Sequence, residues 1–207
     1  MSGRSGHVLA GAVASLLGFC VLAVVVTGNH FAALDHLARA AVHEPDSPSV
    51  LRSTMEGASF LGGRYGQIAV ICLGVALCWR DRRRCAFALP IVMAGAGLIQ
   101  HVAKWAVDRP RPNLDPWGFP SGHVLTVVVL LGFLVWVAGT SRARRRAGLA
   151  LWAVAVGIVA FSRMYLDAHW LSDVLGGFTV GLAYLLSVVW IMSTTGDRSP
   201  SPATVRT

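Results

Sequence analysis

Lys104, Arg111 and Arg163 are three cations set among largely apolar sequence, and each can hold an oxyanion. A guanidinium forks onto two oxygens at once, whereas an ammonium acts as a compact point charge. Lys104 is the only lysine in a chain whose other basic residues are all arginine. Pro120-Ser121-Gly122-His123 opens an apolar run. Backbone N–H groups at such a helix start form an anion site, and Gly122 permits close approach. The Ser121 hydroxyl adds a donor, and His123 would stand beside the anion, able to give or take a proton near neutral pH. His169 and Asp173 lie four apart, so a helix start places them on one face. A carboxylate bonded to one imidazole nitrogen frees the other as a nucleophile and stabilises the charge that develops on the ring. Two histidines, one carboxylate and three cations meet the needs of phosphoryl transfer without a metal. No acidic cluster suited to two Mg²⁺ ions accompanies them.

The elements that must position these groups are apolar. The chain has 207 residues, 55% hydrophobic and only 14% charged, with 9 Pro and 4 Cys. Soluble domains run at roughly 45–50% apolar and about 25% charged, so an ordinary water-soluble globule is excluded. Disordered, collagen-like and disulfide-scaffold classes are excluded as well. Cys20, Cys72, Cys78 and Cys85 make no C-x-x-C pair and read as small buried hydrophobes, with no zinc site or disulfide framework. Six apolar runs, at about 8–27, 59–79, 85–103, 122–140, 147–165 and 170–192, are long enough to span a bilayer. The fifth is the weakest, ending in Ser162 and Arg163. The first exceeds a signal-peptide core of roughly 7–15 residues and lacks an A-x-A-like site, so it reads as a retained helix. Trp79, Trp105, Trp170 and Trp190 fall near expected ends, where interfacial aromatics belong. The expected fold is all-α: an integral membrane bundle of six transmembrane helices forming one domain over 1–193, with a disordered Ser/Thr/Pro-rich tail over 194–207.

Two arginine-rich loops orient the bundle. Arg80-Asp81-Arg82-Arg83-Arg84 and Arg142-Ala143-Arg144-Arg145-Arg146 are short, and the positive-inside rule puts both in the cytoplasm. Six spans then place both termini, and the tail, on the cytoplasmic side. Arg4, the eight loop arginines, Arg198 and Arg206 fall inside against Asp81 and Asp197, so most of the net charge of +8 is a topology signal. It predicts no nucleic-acid partner, which would need basic residues on one folded surface. The three reactive stretches, 104–111, 121–123 and 163–173, all land on the outer face.

The spacing Lys104-x6-Arg111-Pro112, then Pro120-Ser121-Gly122-His123, then Ser162-Arg163-x5-His169-x3-Asp173 resembles the type 2 phosphatidic acid phosphatase (PAP2) family at every specified position. The motifs run from 104 to 173, and the six runs extend the likeness over nearly the whole chain. The resemblance implies a six-helix membrane fold of bacterial type and phosphate release without metal or cofactor. It implies that His169 forms a phosphohistidine, that Asp173 orients it, and that His123 protonates the leaving oxygen and then activates water. Lys104, Arg111, Ser121, Gly122 and Arg163 would hold the phosphate oxygens. The implied partner is a lipid phosphate or diphosphate in the cell membrane, of the phosphatidylglycerol phosphate, phosphatidic acid or polyprenyl diphosphate class. Oligomeric state is not legible. Two alternatives use the same residues: a phosphotransferase passing the phosphoryl group to an acceptor other than water, and a transporter that binds a lipid or anion without hydrolysis. The related vanadium-dependent haloperoxidase chemistry belongs to soluble proteins, which six spans disfavour.

Other polar residues carry plainer expectations. Arg109 is read as an ion pair with Asp108 or a phosphate contact, Asp115 and Asp167 as solvated, and Gln100 with His101 as a hydrogen-bonded interior pair. Arg64 reads as an outer snorkelling residue or a headgroup contact. Phe31, Leu34, Leu37 and Ala38 form a stripe expected to lay a short helix on the outer membrane surface within the 28–58 connection. That helix accounts for His30, His36 and His43 better than a metal site would. Gly95, Gly97, Gly176, Gly177 and Gly181 are expected at close helix contacts.

Overall fold

Residues 3–44, 48–80 and 82–196 are described in a computed structural model, and over them the chain forms eight helices. These are α1 (Gly3–Thr27), α2 (Ala32–Val42), α3 (Ser49–Phe60), α4 (Arg64–Cys78), α5 (Arg83–Val107), α6 (Gly122–Ala138), α7 (Arg142–Tyr165) and α8 (Leu171–Gly196). Helix α8 continues through the first three residues of the expected tail; from 197 onward that expectation lies outside the described residues, as does Asp81.

Beyond His123 and Thr126, α6 carries only Val, Leu, Gly, Phe, Trp and Ala, so it is apolar on nearly every side, the pattern of a helix surrounded by protein or lipid. Protein surrounds it: α7, α8, α5 and α4 all pack on it, and eleven of its 17 residues are buried, including Val124, Leu125, Val128, Val129 and Phe133. The outer helices keep their apolar faces outward. Leu17 and Val21 on α1, Leu73 and Leu77 on α4, Ile91 and Leu98 on α5, and Leu151 and Ile158 on α7 are all exposed. A belt of this extent is a liability in water and the expected surface in lipid. Helices α1, α5, α7 and α8 are each long and apolar enough to cross a membrane, and α3 with α4 counts as a further, bent crossing.

The second expected span is the element that differs most. Its helix begins ten residues earlier, at Ser49, stops at Phe60, and resumes at Arg64 after a 46° bend. At the break the chain lies against α6: a Cβ on Gly62 would lie 2.8 Å from the His123 backbone oxygen and Cβ, so glycine is what lets the two approach. The fifth span starts at Arg142 rather than 147, because Ser141 caps it by accepting the Arg144 N–H at 3.2 Å.

Two smaller expectations fail. Cys20 and Cys72 are exposed on the apolar belt rather than buried. No atom of the described residues approaches Gly97, so it is no packing position there, whereas a side chain would strike a neighbour at Gly95, Gly176 and Gly177 and crowd one at Gly181. Helix α2 forms as expected: Leu34 and Leu37 of the apolar stripe point away from the bundle, while the polar Asp35 points into it, 1% exposed.

The two arginine-rich turns lie together at one end of the bundle, where Arg82 Nη1 donates to the Val137 carbonyl at 2.5 Å. The last turns of α5 and α7 and the first turns of α4, α6 and α8 meet at the opposite end.

Candidate active site

At that opposite end the helix termini enclose a cleft of about 320 Å³. Its walls bring together residues from five separate elements: Gln100 and Lys104 of α5, Gly122 and His123 of α6, Arg163 of α7, His169 before α8, and Arg111 from the 108–121 loop. Gly62, Gly63, Arg64 and Gln67 close it from the α3–α4 break. Among the described lining residues there are four cations, two histidines and no carboxylate.

His169 is 4% exposed and donates Nδ1–H to Asp173 Oδ2 at 3.3 Å. That bond leaves Nε2 as the acceptor nitrogen. Burial pushes the imidazole down to about 4, the bond to Asp173 acting in the opposite direction. The ring is therefore neutral at physiological pH, the form a nucleophile needs. Asp173 is fully buried and accepts two further bonds, from the Trp170 N–H at 3.0 Å and from Arg109 Nη1 at 3.1 Å.

A depressed histidine pKa has a stability consequence. The unfolded chain takes up this proton near the ordinary 6.5 and the folded chain only near 4, so acidification between those values favours unfolding. The melting midpoint in detergent should fall across that window, and fall less in His169→Gln. Equal falls in both proteins would contradict the burial of a neutral ring.

The Pro120–His123 loop is stitched to α8. Ser121 N donates to the Asp173 carbonyl at 2.8 Å, and a Cβ on Gly177 would lie 2.4 Å from the Ser121 carbonyl oxygen. Only glycine lets the two backbones approach this closely. Gly177→Val should move the loop off α8 and cost more than about tenfold in activity. Helical content should stay near that of the parent by circular dichroism; undiminished turnover would show the contact to be dispensable.

Several strong donors in this region lack partners. The Ser121 hydroxyl and the Nε atoms of Arg111 and Arg163 are buried without an acceptor among the described residues. Buried donors are nearly always satisfied, so these three, on or beside one cleft, are the groups left available to an anion. Arg163 is held from behind by its Nη1 bond to Ser59 Oγ at 2.7 Å, and Lys104 Nζ bonds the carbonyls of Trp117 and, at 3.5 Å, Gly118. All the residues singled out in the three sequence stretches thus converge here: Lys104, Arg111, Gly122, His123, Arg163 and His169 on the walls, with Ser121 and Asp173 immediately behind them.

Three plainer expectations are corrected. Arg109 pairs with Asp35 at 2.7 Å and Asp173 at 3.1 Å, not with Asp108, which caps α5 in the left-handed region at φ 41°. Asp167 is no solvated residue: Arg39 binds both its oxygens, at 2.6 and 2.7 Å, and this pairing holds its carboxyl below the usual carboxylate range. Gln100 and His101 do not pair, since Gln100 lines the cleft while His101 turns outward against the Trp117 ring. Arg64 is part of the cleft wall. His43 donates Nδ1–H to the Tyr165 carbonyl at 3.0 Å while His36 meets the Trp170 ring. Asp115 is exposed as expected, bonded to Asn113.

Asp35, Ser59, Gln67 and Ser172 were not singled out from sequence, although all support the cleft. Gln67 bonds Thr126 Oγ1 at 2.7 Å and the Gly62 carbonyl at 3.1 Å, bracing the α3–α4 break against α6. The one available signal was Asp35 with Arg39, four apart on a single face of α2.

A bundle with a lipid-compatible belt and an acid-free, histidine-bearing cationic cleft at one rim defines a membrane enzyme that handles phosphate. The sequence profile of the PAP2 superfamily matches residues 86–197, more than half of the chain, which therefore belongs to that family. It is an enzyme of the PAP2 phosphatase class. The chain is similar to phosphatidylglycerophosphatase B of Bacillus subtilis (strain 168), at 28% identity over 185 residues covering 82% of this chain and 89% of the relative. It is also similar to lipid phosphate phosphatase delta of Arabidopsis thaliana, at 27% identity over 130 residues, 53% of this chain and 31% of that one. The crystal structure of a transmembrane PAP2-type phosphatidylglycerolphosphate phosphatase from Bacillus subtilis superposes with a TM-score of 0.81 at 22% identity, covering 91% of this chain and 98% of the other. That likeness establishes the shared fold.

Proposed function

We propose that this protein hydrolyses a lipid phosphate or diphosphate at the outer face of the cell membrane, without a metal, through a phosphohistidine. The observation that carries the reading is the single cleft in which two histidines and four cations converge with no carboxylate on its walls. Such a lining suits a phosphate dianion and offers a divalent metal no oxygen cage.

The His169 Nε2 lone pair attacks phosphorus as the bond to the lipid oxygen breaks, and His123, protonated beside the dianion, gives that oxygen its proton. His123 then takes a proton from water. The water oxygen attacks phosphorus, the P–N bond breaks, and inorganic phosphate leaves with His169 restored. Lys104, Arg111, Arg163, Ser121 and the Gly122 backbone hold the equatorial oxygens. Charge spread over those oxygens in the transition state is what fixed donors stabilise most.

Orientation follows from the two arginine-rich turns, which lie at the end of the bundle opposite the cleft. Placing them in the cytoplasm by the positive-inside rule puts the cleft outside. Counting α1, the α3–α4 pair, α5, α6, α7 and α8 as crossings gives six spans, both termini cytoplasmic, and one domain over 1–193. At 17 residues α6 lies at the lower limit for a span, about 25 Å long.

The substrate class is an acyl- or prenyl-tailed phosphate, of which phosphatidylglycerol phosphate, phosphatidic acid and polyprenyl diphosphate are the candidates. Purified protein in detergent, given each in turn, should release inorganic phosphate from at least one, undiminished by EDTA and competitively inhibited by vanadate. Binding without release would support a transporter, and transfer of label to an added alcohol in preference to water would support a phosphotransferase. Loss of activity with EDTA would overturn the metal-free reading.

A further inference from the structure

Behind the cleft, and not on its lining, lies a buried polar cluster. Arg109 Nη2 donates to Asp35 Oδ2 at 2.7 Å, while its Nη1 reaches Asp173 Oδ1 at 3.1 Å and Ser172 Oγ at 2.5 Å. Ser172 completes the ring by donating its backbone N–H to Asp35 Oδ1 at 2.9 Å and its hydroxyl to Asp35 Oδ2 at 2.7 Å. Asp35, Ser172 and Asp173 are each at most 1% exposed, and the Trp170 ring covers the guanidinium at 5.6 Å. Every polar atom of the two carboxylates has a partner. Satisfied buried networks of this kind fix one geometry, and partly satisfied ones are costly.

We infer that Arg109, clamped by Asp35, is a positioning residue that holds the Asp173 carboxylate in line with the His169 ring. The assignment rests on the reading of His169 as the phosphoryl acceptor. The geometry divides the labour on Asp173 cleanly. Oδ2 takes the His169 ring and the Trp170 N–H, and Oδ1 takes Arg109. Without Arg109, Oδ1 loses that bond and the carboxylate can rotate away from the imidazole.

Charge explains why Asp35 is part of the device. Two carboxylates and one guanidinium carry a single net negative charge, which the His169 N–H and the Ser172 and Trp170 donors can satisfy. Removing the guanidinium leaves two buried carboxylates facing a gap with no cation between them. Like charges so placed repel or take up a proton, and either change spoils the bond to His169. Removing the Asp35 charge as well returns the cluster to one negative charge. Asp35 is therefore helpful while Arg109 is present and harmful once it is gone. Arg109 also draws α2, the helix on the rim, into the reacting assembly.

The test uses the full chain in detergent with a ³²P-labelled lipid phosphate, reading kcat, KM and the rate of labelled histidine formation. Arg109→Ala should lower kcat on the order of 100-fold, with KM within about twofold of the parent. Asp35→Asn alone should lower kcat about tenfold, and the same change added to Arg109→Ala should raise kcat about tenfold over that single variant. A residue that merely supports the fold would not reverse sign in this way. If Arg109→Ala does not accumulate in the membrane, Asp35→Asn carries the test alone, and an unchanged kcat there overturns the clamp. A raised KM with unchanged kcat would make Arg109 a substrate ligand and overturn the inference. So would a double variant no better than Arg109→Ala. A parent enzyme that turns over but traps no labelled histidine would overturn the acceptor reading, and this one with it. A parent that traps label no faster than Arg109→Ala would overturn the positioning role alone.

Discussion

His169→Gln should abolish phosphate release, by roughly 10⁴-fold or more, while the protein remains inserted and folded. Glutamine keeps an amide that can donate to Asp173 but offers no nitrogen lone pair able to attack phosphorus. The orphaned donors at Ser121, Arg111 and Arg163 survive the change, so the variant should still bind substrate and vanadate. Loss of kcat with little change in binding is the signature of an interaction made in the reaction rather than in the ground state. Release within tenfold of the parent would mean that water attacks phosphorus directly and would remove His169 from the nucleophile's role. Intact vanadate binding separates a chemical lesion from a collapsed cleft.

His123→Ala should be nearly as damaging, with a loss of about 10²–10⁴-fold, but by a route that can be told apart. Both half-reactions need this ring, first as acid and then as base. A lipid analogue with a good leaving group relieves the first demand and not the second. With such an analogue the variant should show a burst close to one equivalent of leaving group, then stall with phosphorus on His169. The stalled species should be labile in acid and stable in alkali, as a phosphoramidate is. A linear time course with no trapped label would assign His123 to substrate binding instead. The Gly63 Cβ position, 3.6 Å from His123 Nε2, marks the cleft wall beside this ring.

The parts of the fold written in residue type were legible before any coordinates, and the parts written in tertiary contact were not. Uninterrupted apolar runs announce α1, α5, α6, α7 and α8 because a lipid-facing or fully enclosed helix needs no periodicity to be recognised. Helix α3 went unseen because Ser49–Phe60 mixes Arg, Ser, Thr, Met and Glu with few large apolar residues, and what holds it is its docking on α7. At the break, Gly62 lies against His123, a residue from a distant stretch of the chain. The site divides in the same way. Residues that would touch phosphate announce themselves through a fixed spacing, since each hangs from a helix end whose phase decides where it points. Those that support them, such as Asp35 from α2 and Ser59 from α3, reach across from elements with which they share no sequence pattern. Arg109 is visible as a charge, but neither Asp108 nor phosphate alone accounts for it, because adjacency in sequence is a poor guide to partners once a left-handed residue turns the chain.

Helix α2 is fastened to the rest of the rim at two points, Asp35 to Arg109 and, a turn further on, Arg39 to Asp167. Two charge-assisted attachments one turn apart hold this strap against the rim. Enzymes that deliver a phosphoryl group to a chosen acceptor must first shut water out, and they do so with moving lids. A rim helix tied down in this way fits the proposed hydrolysis, in which the solvent itself would be the second reactant.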